Sequence, residues 1–406
     1  MYYHRRKRHD VSDAWHHRPC AFSKVGSRNS TQTVTVSTPF VTAHISLISF
    51  MPIQTRLPIL SHDLYDSAMS ELQERMPYVA AFPEALGTGI IVRSAQPIGP
   101  VLQRDLQSLI DEYDATLSRF RTDSLVGLMA AATCGGSFDF PDWALPLFDL
   151  YDALDAASRG AIDPCVGEDL IRLGYGADMT FTIEPDAHEH TGSIHGRPTW
   201  RSDVERHGTT LVTRRAVHLD FGACGKGYLV DLLARRLRQS VGSELLIDAG
   251  GDMTVSVADA AQPVTIGLED PADASNAVGI AHMADGSLCA SAPSRRHWGA
   301  AHRLHHLLNA IDGLPAHRVA ASWVAVPRST TTLPDRSGAP AGTATGTVAD
   351  ATFAAFPTAI ADGLATALFV TEPDRLAEYV AFSCALLTPD RRVILSRGFP
   401  GRFFTA

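Results

Sequence analysis

The chain has 406 residues, 45% of them hydrophobic and 19% charged, a composition that suits a globular protein with a sizeable core. A formal net charge of -9 gives it no overall cationic field for holding nucleic acid, and the absence of any apolar run of about 18 residues excludes a membrane-spanning helix from the reading. The six cysteines stand far apart with no CxxC pair, so they predict neither a zinc site nor a disulfide framework and read as reduced thiols of a cytoplasmic protein.

Residues 1–60 differ from the rest of the chain. They open on the basic MYYHRRKRHD and continue Ser- and Thr-rich without periodicity, and the one modest apolar run, near residues 45–53, is interrupted by Ser and Pro. A signal peptide is not built that way. The segment reads as a disordered tail, or as translated sequence upstream of a later start such as Met51. A single folded domain is expected over residues 84–406, with structure beginning near Leu86. Strand-like residues 89–92 precede a helical stripe over 101–120, and a second helix is predicted over 144–157. The polar stretch 177–208 reads as a loop insertion. A strand over 215–221 then leads through a Gly-rich turn into a helix over 226–239. Short strands are predicted at 245–248, 254–257, 264–268 and 319–326, followed by a low-complexity loop over 328–350. Helices over 358–370 and 375–381 and strands over 384–387 and 392–395 close the chain. Strands and helices come in mixed runs without strict alternation, which favours an α+β fold of mixed sheets with packed helices over a doubly wound sheet.

Four segments carry chemistry. In Asp220-Phe221-Gly222-Ala223-Cys224-Gly225-Lys226-Gly227-Tyr228 a strand ends in an acid, a small-residue turn comes next and a lysine opens a helix. Such a turn lets backbone approach a ligand closely, and a helix N-terminus favours phosphate; the plain alternative is a tight turn with a solvated lysine. Asp362 and Thr366 stand four apart on a predicted helix and so face one way. A carboxylate with a hydroxyl suits a hard cation, and an exposed polar pair is the alternative. The stretch from His302 to Gly313 offers histidines for general base work, or a polar turn; a zinc site at His302 and His306 lacks a third ligand. Gly250-Gly251-Asp252 marks a strand-end turn.

In this order the segments resemble the ApbE family, the FAD:protein FMN transferases. The resemblance also rests on Leu86-Gly87-Thr88, on Ser118-Arg119-Phe120 with Ser124, and on Gly160-Ala161-Ile162-Asp163-Pro164, and it covers residues 84 to 375. It implies an enzyme that moves FMN from FAD onto a Thr or Ser hydroxyl of an acceptor protein, releasing AMP. It implies Mg²⁺, with Mn²⁺ as the alternative, held by Asp362, Thr366 and the carbonyl of Ala223. Asp220 and Lys226 would line the FAD site; Leu86, Phe120, Ala161, Ile162 and Asp163 would pack around the flavin and adenine; His306 would be the base. The sequence departs from the family pattern at Leu86, Leu125, Ala130, Ala292, Asn309, Ala310 and Asp312. Asn309 cannot ionise to orient His306, and Asp312 is a candidate for the missing charge. A metal-dependent FAD pyrophosphatase and a flavin-binding protein without turnover are the alternative readings.

Overall fold

The computed structural model describes residues 49–52, 62–300, 303–328 and 355–404. Of residues 1–60 only Ser49–Pro52 are among them, and His302 and nearly all of 328–350 also lie outside the described residues.

Nine strands form one sheet: β1 (Ser49–Pro52), β2 (Tyr78–Phe82), β3 (Ile90–Ser94), β4 (Leu245–Asp248), β5 (Asp252–Ser256), β6 (Asp285–Ser291), β7 (Ala321–Pro327), β8 (Ser383–Leu387) and β9 (Arg392–Leu395). Across the sheet the order is β2-β3-β4-β5-β6-β7-β8-β9-β1. Every neighbouring pair is antiparallel, and β1 closes the far edge beside β9. Spatial order therefore matches chain order from β2 to β9.

Both faces of this sheet are covered. In β7, Val324 and Val326 join the core under a helical layer, while Trp323 and Ala325 join a second core beneath a small sheet. That small sheet is made of Val264–Asp270, Asp273–Met283 and Gly401–Phe403. A strand buried on both faces has no reason to alternate apolar with polar, which is why β7 reads as a nearly unbroken apolar run. The helical layer holds α1 (Pro100–Leu117), α2 (Leu145–Ser158), α3 (Gly225–Val241), α4 (Pro357–Ala367) and α5 (Pro373–Ala377). All but α3 carry proline in their first two positions, where its fixed φ suits a helix start and its missing N–H costs nothing.

The α+β class is the one found, and most expected elements appear within a few residues of their expected ends. Three differences have physical causes. Structure begins before Leu86: β2 pairs with β3, and Met76 is fully buried. The expected strand over 215–221 is not one, since it runs against a turn and not a strand edge. Its Asp220 N–H donates to the Pro164 carbonyl, and the backbone of His218 fills the space where Gly167 would carry a Cβ. The central strand β6 has no counterpart among the expected elements. Its sequence, DGSLCAS, is poor in the β-branched and aromatic residues that signal strands. Those small side chains let α4 lie close: Ser287 Oγ sits 2.7 Å from Thr358 Oγ1, and Cys289 Sγ 3.5 Å from the Thr358 carbonyl. The 177–208 stretch is also more than a loop, holding short helices at Ala187–His190 and Trp200–Asp203 and the strand Val204–His207.

Candidate active site

The turn into α3 is fixed from several sides. Asp220 Oδ1 accepts from the Gly222 N–H at 2.6 Å, and Oδ2 pairs with Arg119 Nε at 2.5 Å. Both oxygens of Asp220 thus hold the turn. The Tyr151 hydroxyl accepts from the Ala223 N–H at 3.2 Å, and the Tyr113 hydroxyl donates to the Gly225 carbonyl at 2.7 Å. What remains directed at α4 is the Ala223 carbonyl, which accepts from Thr366 Oγ1 at 3.3 Å.

α4 crosses the start of α3 at very short range. A Cβ on Gly227 would stand 2.3 Å from the Thr358 carbonyl oxygen and 2.9 Å from Asp362 Cβ, so only glycine admits the contact. The Gly227 N–H donates to Asp362 Oδ2 at 2.9 Å. Lys226 Nζ lies 3.3 Å from Asp362 Oδ1 and 2.6 Å from Asp252 Oδ2. Both carboxylates are 1% exposed, whereas Lys226 is 30% exposed and reaches in from the open side. Burial, reinforced by the neighbouring Asp252, raises the Asp362 carboxyl to about 7 even with Lys226 beside it. Burial likewise raises Asp252 against the pull of Lys226. Burial alone would lower Lys226, but Asp252 and Asp362 hold its ammonium above the ordinary lysine range.

His306 lies within electrostatic reach of Lys226, Arg296 and Asp220. Its Nδ1 faces the Arg296 carbonyl at 3.3 Å. Burial lowers the ring to about 4; the Arg296 carbonyl opposes that, and the Lys226 and Arg296 charges add to it. Neighbouring His305 is 2% exposed and is also lowered to about 4, by burial and then by His317 and His306. The two unusual residues further on serve the turn instead of the base. Asn309 Oδ1 accepts from the Ile311 N–H and Asp312 Oδ1 from the Leu314 N–H, each at 3.0 Å. Asp312 Oδ1 is thus engaged at the turn.

The Gly160 to Pro164 turn supports this segment from behind. The Ala161 carbonyl accepts from the Ala310 N–H at 3.0 Å, and the Ala310 carbonyl accepts from Arg197 Nη2 at 2.6 Å. Ala161, Ile162 and Asp163 are buried. Asp163 Oδ1 accepts the N–H of Cys165 at 2.8 Å and that of Trp200 at 3.2 Å, so the side chain caps a turn. On the other side, Phe120 and Tyr175 flank the Arg119 guanidinium, at 4.2 and 4.7 Å from their ring centroids. Leu86 is held in a left-handed conformation at φ 52° and packs on the main core. Nearby Thr88 lies against Gly250, which brings the Leu86-Gly87-Thr88 and Gly250-Gly251-Asp252 turns together.

The sequence profile of the ApbE family matches residues 86–335. The chain belongs to the ApbE family. Among its relatives, the FAD:protein FMN transferase of Treponema pallidum (strain Nichols) is 23% identical over 324 residues, spanning 73% of this chain and 79% of that protein. The one from Klebsiella pneumoniae (strain 342) is 24% identical over 243 residues, 56% of this chain and 67% of that protein. Two solved structures share the fold. The flavin transferase ApbE from Vibrio cholerae matches with a TM-score of 0.61 at 20% identity, covering 79% of this chain and 96% of that one. The apo flavinyl transferase ApbE of Pseudomonas stutzeri matches with 0.60 at 24% identity, covering 79% and 95%.

Sequence reasoning misses several residues of this ApbE site. Asp252 reads only as part of a turn, although an acid directly after Gly-Gly at a strand start is its signal. Arg119 lies inside a motif that rests on its Ser and Phe. Asp231 and Arg197, both buried and charged, carry no motif; an acid in the apolar interior of α3 is the hint for the first. Among the described residues no three His, Cys, Asp or Glu side chains converge as a metal site. The Thr366 hydroxyl meets the Ala223 carbonyl, and the Asp362 carboxylate stands one turn earlier on α4.

Proposed function

We propose that this chain is a metal-dependent FAD:protein FMN transferase, moving FMN from FAD to a Thr or Ser hydroxyl of an acceptor protein. The observation that carries the reading is the meeting of Lys226, Asp252, Asp362, Thr366 and the Ala223 carbonyl at the start of α3, with His306 in electrostatic reach.

The donor set fits Mg²⁺ or Mn²⁺. All three candidate ligands are hard oxygens, and two buried carboxylates against one ammonium leave a negative excess when ionised. Held by Asp362, Thr366 and Ala223, the cation would supply electrostatic neutralisation of the phosphoanhydride. Lys226 and the N-terminal turn of α3 favour the pyrophosphate of FAD through charge and helix dipole. His306 is neutral at pH 7. Its Nδ1–H is assigned to the Arg296 carbonyl, which leaves the Nε2 lone pair to take the acceptor's proton. The acceptor oxygen then bonds to the FMN phosphorus, the bond from that phosphorus to the bridging oxygen breaks, and AMP leaves with that oxygen. The departures at Asn309 and Asp312, which would favour a flavin-binding protein without turnover, lie in turn caps and leave this arrangement alone.

The test is incubation with FAD and Mg²⁺, with and without a flavin-accepting domain, monitoring AMP and protein mass. AMP together with an FMN mass gain on the acceptor is the expected result. AMP without that gain identifies a pyrophosphatase, and tight FAD binding with no AMP identifies a binding protein.

A further inference from the structure

We propose that Asp252 is a positioning residue that sets the divalent-cation affinity of the site by drawing the Lys226 ammonium away from Asp362. The inference rests on the metal reading above.

Three elements fix three charges here: Asp252 opens β5, Lys226 lies in the first turn of α3 and Asp362 sits within α4. One ammonium serves both acids, and it stands nearer to Asp252, at 2.6 Å, than to Asp362, at 3.3 Å. Asp362 Oδ2 is already engaged by the Gly227 N–H. Oδ1 is therefore the oxygen for which an incoming cation and Lys226 compete, and every ångström by which Lys226 is held off favours the cation. Asp252 has little else to do. It is 1% exposed, and the side chains that answer its charge are Lys226, 2.6 Å from Oδ2, and the Cys289 thiol. A carboxylate left that way costs stability. Placing the ammonium gives that cost a use: a cation already resident at the acids is kept from blocking the ligand oxygen.

Electron paramagnetic resonance of free Mn²⁺ titrated into the full chain at pH 8, without FAD, reads this directly. Asp252→Asn should weaken Mn²⁺ binding by about tenfold, the size of coupling between close charged neighbours, because Lys226 then settles on Asp362. Lys226→Met should tighten it. In the Lys226→Met background, adding Asp252→Asn should leave affinity unaltered, since no ammonium remains to be positioned. Unaltered binding in Asp252→Asn, or an equal loss in both backgrounds, overturns the proposal; the second result would mean Asp252 acts through its own charge. Should Asp252→Asn fail to fold, Asp252→Ser takes its place in both backgrounds, and unaltered Mn²⁺ binding or an equal loss in both overturns the proposal. Asp362→Ala separates the two levels. If it binds Mn²⁺ as wild type does, the metal reading fails and this inference with it; if it loses Mn²⁺ while Asp252→Asn does not, only the role of Asp252 falls.

Discussion

Asp231, in the middle of α3, caps a helix to which it does not belong: its Oδ2 accepts the N–H groups of Thr358 and Ala359 at 2.9 Å each, and its Oδ1 accepts from Thr358 Oγ1 at 2.6 Å. The residue in the N-cap position of α4 is Phe356, which has no side chain able to do this. A carboxylate from a neighbouring helix thus satisfies the first donors of the helix that carries Asp362 one turn later.

Asp231→Ala leaves two buried N–H groups without an acceptor and should cost about 2–4 kcal/mol, measured as a fall in the urea midpoint at unchanged slope. Asp231→Asn keeps an oxygen for both donors and should recover most of that loss. The pH dependence checks the assignment. Burial raises this carboxyl to about 7, partly offset by its hydrogen bonds to Thr358 and Ala359. Between about 4 and 7 the folded protein holds a proton that the unfolded chain has released, so this group's contribution to stability falls as pH rises. The Asn variant should flatten that part of the profile.

Gly227→Ala should separate α3 from α4. The contacts it would make, 2.3 Å to a carbonyl oxygen and 2.7 Å to its carbon, are with backbone that cannot swing aside. A loss of about 2 kcal/mol or more is expected, together with weaker Mn²⁺ binding, because the N–H that holds Asp362 moves with the helix. A variant with wild-type melting and Mn²⁺ affinity would show that the two helices have slack at this crossing.

The acid limb of turnover should belong to Asp362 and not to His306. His306, lowered to about 4, is neutral throughout the physiological range, whereas Asp362, raised by burial and by Asp252, takes up a proton at higher pH than an ordinary carboxyl and would then cease to be the anionic ligand proposed above. AMP release should therefore fall as pH drops, with a limb above the ordinary carboxylate range at low Mg²⁺, and higher Mg²⁺ should move that limb downward because cation and proton compete for one carboxylate. A limb that ignores Mg²⁺ concentration would remove Asp362 from this role. His306→Ala should cut AMP release with FAD affinity kept; equal loss of both would make it a binding residue.

Arg197 and Asp169 are both fully buried, 2.8 Å apart, and Arg197 also holds the Ala310 carbonyl behind the His306 segment. Burial raises Asp169 to about 6 against the pull of Arg197. Arg197→Met removes one partner of a buried pair and should cost about 3–5 kcal/mol. Arg197→Lys should recover only part, because one ammonium cannot reproduce the fork that reaches Asp169 and Ala310 together.

What can be read from the sequence is what periodicity and motifs encode. Helices α1 to α4 and the strands β4 and β9 lie where their apolar patterns put them, and the Asp220 to Lys226 turn does meet Asp362 and Thr366. What cannot be read is set by contacts distant in the chain. β6 is a strand because β5 and β7 pair with it on either side, not because DGSLCAS favours extension, and its small residues are what let α4 lie close. Residues 215–221 carry strand-like residues but find only the Pro164 turn beside them. Asp252 and Asp231 are plain acids until the fold gives one an ammonium and the other a foreign helix. The departure at Asn309 looks in sequence like damage to a base, yet the chain folds so that its side chain faces the Ile311 N–H.

The Gly227 N–H and its Asp362 acceptor are 135 positions apart in the sequence, and the whole of β4 to β7 lies between them. On the ribosome, the turn that opens α3 emerges long before the helix that completes it, so for much of synthesis the Lys226 segment has no acid from α4 to meet. The site is closed by contacts distant in the chain, a kind that forms slowly. A nascent or truncated chain ending before Asp362 has most of the family's landmarks and lacks the acid that Lys226 and the Gly227 N–H meet.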